Sequence, residues 1–350
     1  MIRQERKLEH VQLSVKLGES QRNPWFGDLT LVYNALPEID YKSINTEIEF
    51  LGKELSAPIL INAITGGHAN VTAINGSLAR IAARNRLAIA VGSQTSALED
   101  ESLTGSYRIV RTENPKGVVL ANLTARSSWE DVYKAVDMLE ADAIQLHLNV
   151  SHELAMAEGD RIFKGILANI EKVIKKSNVP VIVKEVGFGL SRSVVAALYQ
   201  CGVKYIDIGG KGGTNFIAIE RLRKGLDSQE DYSIGIPTAV SLLETLSLNL
   251  PLFVIASGGI VTGYEIACAL SLGANMVGIA GHFLQILVRK SEAALQEEVT
   301  KILEDLRQIM LMSGAVDIKA LRNTPIIILG KTGEWMLRRG IDINHYAQRP

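Results

Sequence analysis

The sequence predicts one α/β domain, a (β/α)₈ barrel (TIM barrel) with an N-terminal arm and a C-terminal helical extension. Short apolar runs, glycine-rich breaks and helical stretches alternate about eight times between residues 56 and 283. This is the spacing of alternating strands and helices, and no linker rich in proline and serine divides the chain. A doubly wound open sheet is the weaker alternative, because the units run on without an order reversal and no Gly-x-Gly-x-x-Gly follows the first strand.

Residues 1–55 precede the repeating units and form the predicted arm. The arm begins with a cationic cluster, Arg6, Lys7 and His10. A flexible basic arm can close over a doubly charged phosphate substrate. The alternative is a solvated, charged terminus.

The predicted strands are the apolar runs at 57–63, 87–92, 117–122, 143–149, 179–187, 203–210, 250–259 and 274–282. Between them, apolar residues at helical spacing predict helices at 71–84, 128–139, 162–176, 191–200 and 263–272. After the barrel, residues 284–313 predict one long amphipathic helix, and the remainder to residue 350 predicts a short cap.

The composition argues against several classes of protein. With 37 basic and 38 acidic residues, the formal net charge of −1 argues against a strongly basic, nucleic-acid-binding surface. The two cysteines, Cys201 and Cys268, predict packing residues in a reducing, cytoplasmic protein and not a disulfide framework. The N-terminus lacks the apolar core of a signal peptide. No spacing of histidines and cysteines along the chain is typical of zinc.

The fourth strand carries polar residues where a barrel core is normally apolar. Gln145, His147 and Asn149 alternate with apolar residues, so the period of two places all three on one face. The apolar face suits the helix layer, which turns the polar face into the barrel. Active sites of such barrels lie at the carboxyl ends of the strands. Three polar residues that rise to that rim favour a polar site over a structural network.

The fifth strand ends in Lys184 and Glu185. Neighbouring strand residues point to opposite faces, so one of the two points into the barrel. A buried ammonium needs an anionic partner. The position favours a role in ligand binding over a structural Lys–Glu pair.

Glycine-rich breaks fall at the same predicted rim, at 65–67, 209–214, 257–259 and 278–281. The last two follow strands seven and eight, where barrels commonly bind a phosphate through backbone N–H groups and a helix N-terminus. The breaks therefore predict a phosphate-bearing ligand or cofactor. Near it, Glu153 follows strand four and is a candidate Mg²⁺ ligand, with a solvated loop acid as the alternative.

Taken together, these motifs resemble type 2 isopentenyl-diphosphate isomerase, an FMN-dependent family, over nearly the whole chain. The matching segments keep the family's order and spacing, and they are Arg6-Lys7 with His10, Ala63-Ile64-Thr65-Gly66-Gly67, Gly92-Ser93-Gln94, Ala121-Asn122, Gln145-Leu146-His147-Leu148-Asn149, Glu158-Gly159-Asp160-Arg161, Lys184-Glu185-Val186-Gly187-Phe188-Gly189, Gly212-Gly213-Thr214-Asn215 and Ala280-Gly281-His282. The lysine–glutamate segment and the Gly-Gly-Thr-Asn segment separate this family from the FMN-binding 2-hydroxy-acid oxidases, which share the barrel.

The resemblance implies a set of cofactor and substrate contacts. The expected FMN contacts are Ala63, Ile64, Thr65, Ser93, Asn122, Lys184, Gly209, Thr214, Gly258, Gly259, Ala280 and Gly281. The expected substrate contacts are Arg6, Lys7, His10, Ser93, His147, Asn149, His152 and Ser191. The resemblance also implies catalytic roles for His147, Asn149 and His152, and Mg²⁺ on Glu153.

The resemblance further implies the reaction. Isopentenyl diphosphate becomes dimethylallyl diphosphate when a proton is added to the terminal methylene and another is removed from C2, with no net redox change. Reduced FMN acts as an acid/base group near its N5, NADPH serves as reductant, and the protein is a homotetramer or larger. The alternatives are an oxidoreductase of the hydroxy-acid-oxidase type and a catalytically impaired flavin-binding barrel.

The chain departs from the family pattern at five positions. The family has Gln, Pro, Met, Arg and Trp where this chain has His152, Ala157, Ile64, Val261 and Ile234. The changes at residues 64, 261 and 234 fit neutral packing changes. His152 is different in kind, because in the family that position faces the reacting part of the substrate.

Overall fold

A computed structural model describes residues 3–18, 22–228 and 234–350, with side chains from residue 9 onward. The arm contains helix α1 (Arg3–Leu17) and three short strands, β1 (Leu29–Leu31), β2 (Ile48–Phe50) and β3 (Lys53–Leu55). β2 and β3 form an antiparallel hairpin through Leu51 and Gly52, whose φ angles of 54° and 74° suit a tight two-residue turn. Phe50 of the hairpin stacks on Phe253 with ring centroids 4.9 Å apart, which closes the N-terminal end of the barrel.

Seven of the eight predicted apolar runs contain one barrel strand each, and the run at 117–122 overlaps a strand that continues to Thr124. The strands are β4 (Ile59–Ile61), β5 (Ala88–Ala90), β6 (Val119–Thr124), β7 (Ala143–Leu148), β8 (Val181–Glu185), β9 (Tyr205–Asp207), β10 (Phe253–Ser257) and β11 (Met276–Ile279). Parallel pairing closes them in the order β10-β11-β4-β5-β6-β7-β8-β9. The predicted (β/α)₈ barrel is therefore confirmed.

Helices follow the strands and cover the outside of the barrel. They are α2 (Thr72–Arg84), α3 (Thr95–Glu99), α4 (Gly105–Glu113), α5 (Trp129–Leu139), α6 (Val150–Ala155), α7 (Ile166–Lys176), α8 (Arg192–Gln200), α9 (Phe216–Arg223), α10 (Thr238–Leu246), α11 (Gly263–Leu272) and α12 (Gly281–Arg289). Local sequence can determine where a helix begins. For example, α5 begins at a capping box formed by Ser128 and Asp131. No helix in the described part of the chain is both long and apolar enough to cross a membrane.

The C-terminal extension begins with α13 (Glu292–Met312), α14 (Ile318–Leu321) and β12 (Ile326–Ile328), and it ends with α15 (Gly330–Arg338) and α16 (Asn344–Ala347). The prediction of a single helix over 284–313 is wrong, because α12 ends before Ser291. The Ser291 hydroxyl accepts the N–H of Ala294 at 3.1 Å and starts α13 as a separate helix. β12 pairs antiparallel with β1, which joins the extension to the arm.

The barrel interior changes from apolar to polar along the strands. Ala143 of β7 and Ile182 of β8 belong to an apolar cluster at the N-terminal end. Further along the same inward faces lie Gln145 and His147 on β7 and Lys184 on β8. The inward direction predicted for the polar face of strand four is thus confirmed for Gln145, which is fully buried.

Candidate active site

A cavity of about 390 Å³ opens at the carboxyl ends of the strands, where the glycine-rich breaks meet α1. The predicted site residues that line it are His10, Ala63, Ile64, Thr65, Ser93, Asn122, His147, Asn149, His152, Glu153, Lys184, Gly209, Thr214, Gly258, Gly259, Ala280 and Gly281. Ser191 is not among the lining residues, because its hydroxyl caps α8 by accepting the N–H of Val194. Arg6 and Lys7 lie in α1, and their side chains are outside the described residues.

A chain of side-chain hydrogen bonds, which we call the amide relay, crosses the barrel beneath the cavity. It begins at Asp207, whose Oδ2 accepts from Nδ2 of Asn62 at 2.6 Å. The Oδ1 of Asn62 accepts from Nε2 of Gln145 at 3.0 Å. The Oε1 of Gln145 accepts from Nδ2 of Asn122 at 2.9 Å. The relay ends at His147, whose Nδ1 lies 3.0 Å from Oδ1 of Asn122.

The amide relay has a direction, and that direction sets the tautomer of His147. Both carboxylate oxygens of Asp207 accept hydrogen bonds, since Oδ1 takes the hydroxyl of Ser257. A carboxylate offers no donor, so Asn62 turns its NH₂ group toward Asp207. Gln145 must then turn its NH₂ group toward the oxygen of Asn62, and Asn122 must turn its NH₂ group toward the oxygen of Gln145. Asn122 therefore presents an oxygen to His147. It follows that His147 carries a proton on Nδ1, so the neutral form of its imidazole has the lone pair on Nε2.

Lys184 is the inward residue of the pair at the end of β8, and it is 6 % exposed. Its Nζ donates to the backbone oxygen of Glu185 at 2.8 Å and lies 4.0 Å from Oδ2 of Asp207. The anionic partner that a buried ammonium requires is thus Asp207, on the next strand. Lys184 consequently reaches the cavity as a fixed cation.

The Glu185 side chain points away from Lys184 and holds the following loop. Its Oε2 accepts the N–H groups of Gly187, Phe188 and Gly189 at 2.5 to 3.0 Å. Burial raises the pKa of Glu185 to about 7, although these three donors and Lys184 lower it. The carboxyl group therefore shapes the wall of the cavity beside Lys184.

Glu153 is held rigidly at the cavity wall by the residues around it. Its Oε1 accepts from Nδ2 of Asn149 at 2.7 Å, and its Oε2 accepts the N–H of Asp160 at 2.8 Å. Arg161 donates to the Glu153 backbone oxygen at 2.6 Å. A Cβ on Gly159 would lie 1.9 Å from that same oxygen, so only glycine permits this approach. Glu153 is 9 % exposed, which is unlike a solvated loop acid.

One buried carboxylate at the cavity wall fits a particular kind of magnesium site. Mg²⁺ prefers oxygen ligands, usually keeps several waters, and takes one or two carboxylates together with substrate phosphates. Glu153 supplies one such carboxylate. The remaining ligands would then come from water and from a phosphate-bearing substrate.

The two helices that follow β10 and β11 differ in their readiness to bind an anion. The first turn of α11 is satisfied by its own capping box, Thr262 and Glu265. α12 begins at Gly281 with no side-chain cap. An uncapped helix N-terminus at a cavity wall suits a phosphate group. Beside it, Gly259 has a φ of 82°, and a Cβ there would lie 2.0 Å from the backbone oxygen of Gly212.

Thr65 offers an unused hydrogen-bonding group to a ligand. It is 5 % exposed and lines the cavity, and its Oγ1 has no hydrogen-bond partner. Buried hydroxyls are normally paired. A planar ring system with donors and acceptors along its edge, such as a flavin, would supply the missing partner.

Replacing Thr65 by valine tests this fit. Valine has the same shape without the hydroxyl, so the flavin-free protein should keep or slightly raise its melting temperature. The dissociation constant for FMN should rise by about 3- to 10-fold, the net worth of one hydrogen bond. Fluorescence titration measures it, with Thr30→Val as control because Thr30 is exposed on β1. An unchanged dissociation constant would contradict the assignment.

Glu220 of α9, which sequence reasoning missed, lies behind two residues of the cavity wall, His10 and His152. It is 1 % exposed, and its Oε1 lies 2.6 Å from Nε2 of His10 and 3.2 Å from Nε2 of His152. Its Oε2 accepts from Arg223 at 2.5 Å. The ring of His152 also stacks on Phe216, with centroids 4.6 Å apart. The sequence signal that could have identified Glu220 is an acidic residue directly after the apolar residues at the start of α9.

Comparison with known proteins identifies relatives over the whole chain. A protein named isopentenyl-diphosphate delta-isomerase from Moorella thermoacetica is 46% identical over 331 residues, which cover 95% of each chain. One of the same name from Bacillus licheniformis is 44% identical over 350 residues, which cover 100% of each chain. A family model described as FMN-dependent dehydrogenase matches residues 165–327.

Solved structures share the architecture at low sequence identity. A mandelate oxidase mutant with the monooxide FMN adduct superposes with a TM-score of 0.65 at 16% identity, covering 91% of this chain and 92% of that one. A lactate oxidase from Pediococcus acidilactici gives 0.67 at 15% identity, covering 93% of both chains. At this identity the likeness supports the fold alone.

Proposed function

The chain belongs to the isopentenyl-diphosphate delta-isomerase family, and from that premise we propose how the residues around its cavity carry out the reaction. The protein interconverts isopentenyl diphosphate and dimethylallyl diphosphate, a step of isoprenoid biosynthesis, in the FMN-dependent, type 2 manner. The observation that carries this function is the 44% identity that extends over the whole of both chains. The FMN-dependent dehydrogenase match adds the flavin.

FMN is held at the carboxyl ends of the strands. When bound and reduced, FMN supplies acid/base chemistry next to the substrate alkene. The uncapped start of α12, at Ala280 and Gly281, receives its phosphate. Lys184 would donate to the bound flavin, with Asp207 fixing the ammonium. Thr65 pairs its hydroxyl with the same ring system.

Glu153 and the arm hold the diphosphate. Glu153 would bind Mg²⁺, and Asn149 acts as a positioning residue because its amide fixes one carboxylate oxygen. Arg6, Lys7 and His10 belong to α1, whose His10 lines the cavity, and Arg6 and Lys7 would bind the diphosphate. Ser191, whose hydroxyl caps α8, does not line the cavity, and its contact with the substrate stays a prediction.

His147 and His152 act nearer the reacting carbons. The amide relay leaves the His147 lone pair on Nε2, so this residue accepts a hydrogen bond and holds a substrate or cofactor donor in place. His152, stacked on Phe216, contributes an imidazole and an apolar wall. A wall of this kind excludes the water that would trap a carbocation.

An anaerobic assay with FMN, NADPH, Mg²⁺ and isopentenyl diphosphate tests the function. We expect the purified protein to be yellow and to release FMN on denaturation. We expect dimethylallyl diphosphate to form without continuing consumption of NADPH. In a parallel assay in air without NADPH, oxidation of an added 2-hydroxy acid would instead favour the oxidase alternative. A flavin-loaded protein that forms no isomer would favour the impaired barrel.

Three further statements stay predictions. NADPH as the physiological reductant, a cytoplasmic location, and a homotetramer or larger assembly rest on the sequence and the resemblance. Exposed apolar side chains on the arm and the C-terminal extension, such as Tyr33, Leu36 and Leu337, support an association of chains.

A further inference from the structure

Three side chains from three separate elements meet at one side of the cavity. His10 comes from α1, His152 from α6 and Glu220 from α9. One ligand atom from each, Nε2, Nε2 and Oε1, lies within 4.8 Å of the other two. Among the described residues, this is the group of histidine and carboxylate side chains with the geometry to hold a metal ion.

Two of the three spacings can be compared with those that a tetrahedral ion requires. Bonds of about 2.0–2.1 Å from zinc to nitrogen or oxygen place neighbouring ligand atoms about 3.3 Å apart. Oε1 of Glu220 is already 3.2 Å from Nε2 of His152, and it is 2.6 Å from Nε2 of His10. The Nε2 atoms of the two histidines lie within 4.8 Å of each other. Movement of His10 away from Glu220, on the arm, would bring that pair to the required spacing.

The charge around the three atoms also suits a cation. Burial raises the pKa of Glu220, but hydrogen bonds from His10 and His152 outweigh it and leave the pKa well below its usual range. Burial lowers the pKa of His10, which favours the neutral imidazole. Carboxylate and neutral imidazole are the forms that bind metals. The nearby cation, Arg223, donates to Oε2 of Glu220 at 2.5 Å, which leaves Oε1 to face the two imidazoles, and it also pairs with Glu9 and Glu158 at 3.0 and 3.5 Å.

We propose that His10, His152 and Glu220 form a binding site for a transition-metal ion, with Zn²⁺ as the fitting ion. Two imidazoles and one carboxylate are ligands that zinc accepts, with a fourth position left for water or substrate. Mg²⁺ prefers oxygen ligands, so this site is distinct from the one at Glu153. Spacing along the sequence gave no sign of zinc, because the ligands lie 142 and 68 residues apart and meet only in the fold.

The site has two consequences for the cavity. Both imidazoles line it, so a bound ion would add positive charge to its wall. The ion would also tie α1 to the barrel. The proposed function uses His152 as part of an apolar wall beside Phe216, so an ion bound here would oppose isomerisation. Binding of the ion is measured without substrate, so the two proposals can fail separately.

Calorimetric titration of the FMN-loaded, chelator-treated protein with ZnCl₂, in a buffer that contains Mg²⁺, tests the proposal. We expect one Zn²⁺ per chain. Loss of a partner that merely orients a ligand weakens metal binding 10- to 100-fold, so losing the ligand itself in His152→Gln should weaken it by at least about 100-fold. His345→Gln removes an exposed histidine on α16 and should bind as the wild type does.

Cobalt gives a second measurement on the same samples. Co²⁺ at a four-coordinate site absorbs at longer wavelengths than oxidised flavin, and this band should appear in the wild type and not in His152→Gln. If His152→Gln loses its flavin, His10→Gln on the arm makes the same comparison. The proposal is overturned if the wild type binds no Zn²⁺, or if the wild-type and ligand-variant isotherms coincide.

Discussion

Replacing Glu153 by glutamine is expected to lower Mg²⁺-dependent turnover by about 10- to 1,000-fold, which is 1.4 to 4 kcal/mol of lost charge stabilisation. Glutamine keeps the shape of the side chain but removes its negative charge. The two carboxylate oxygens of Glu153 accept from Asn149 and from the N–H of Asp160, whereas glutamine has one acceptor oxygen for these two donors. Turnover is measured over a series of Mg²⁺ concentrations. The flavin content should stay at the wild-type level.

Glu158→Gln is the matched control for this experiment. Glu158 is another acid at the cavity, but its side chain is 47% exposed and pairs with Arg223 at 3.5 Å. We expect its Mg²⁺ dependence to follow that of the wild type. Equal losses in the two variants would point to the general charge of the cavity, and no loss in Glu153→Gln would remove the proposed metal ligand.

Gln145→Met is expected to lower both stability and turnover. Methionine fits the volume of glutamine, but it leaves the Nδ2 of Asn122 buried without its partner, while the Oδ1 of Asn62 keeps only the N–H of Ala63. A buried group without a partner costs about 1–3 kcal/mol, so the free energy of unfolding should fall by about that amount. Asn122 is then free to turn, and His147 loses its fixed tautomer. Turnover should fall by about 10- to 100-fold, the loss expected when a group that positions the substrate or cofactor is misplaced.

Leu146→Met separates this effect from a general packing defect. Leu146 is the next residue of β7, fully buried on the opposite face against the helices. A leucine-to-methionine exchange usually costs less than about 1.5 kcal/mol. Chemical denaturation and steady-state kinetics compare the two variants. Similar turnover in both would show that the amide relay does not act on His147.

The order and position of the barrel strands could be predicted from sequence, because each strand is a short apolar run between glycine-rich breaks. The polar face of β7 could be predicted as well, since period-two alternation is a local property of Gln145 and His147. The long helix after the barrel was predicted wrongly at Ser291. A single capping side chain there divides a stretch whose apolar spacing continues through it.

The partners of the predicted residues could not be derived in the same way. Asp207, which anchors Lys184 and starts the amide relay, reads in the sequence as one acid in a strand. Glu220 lies 210 residues from His10, and only barrel closure and the packing of α1 bring them together. Contacts of this kind depend on register between strands and on the docking of helices. Local periodicity contains neither.

The direction of the amide relay restricts how this protein can evolve. Each amide in it is a donor on one side and an acceptor on the other, so a substitution at Asn62 changes what Gln145 must offer, and so on to Asn122. Substitutions at these positions should be strongly epistatic, with effects in pairs that differ from the sum of the single effects. The residues of the amide relay should therefore be conserved or replaced together during evolution. Residues in the apolar half of the barrel can be substituted one at a time.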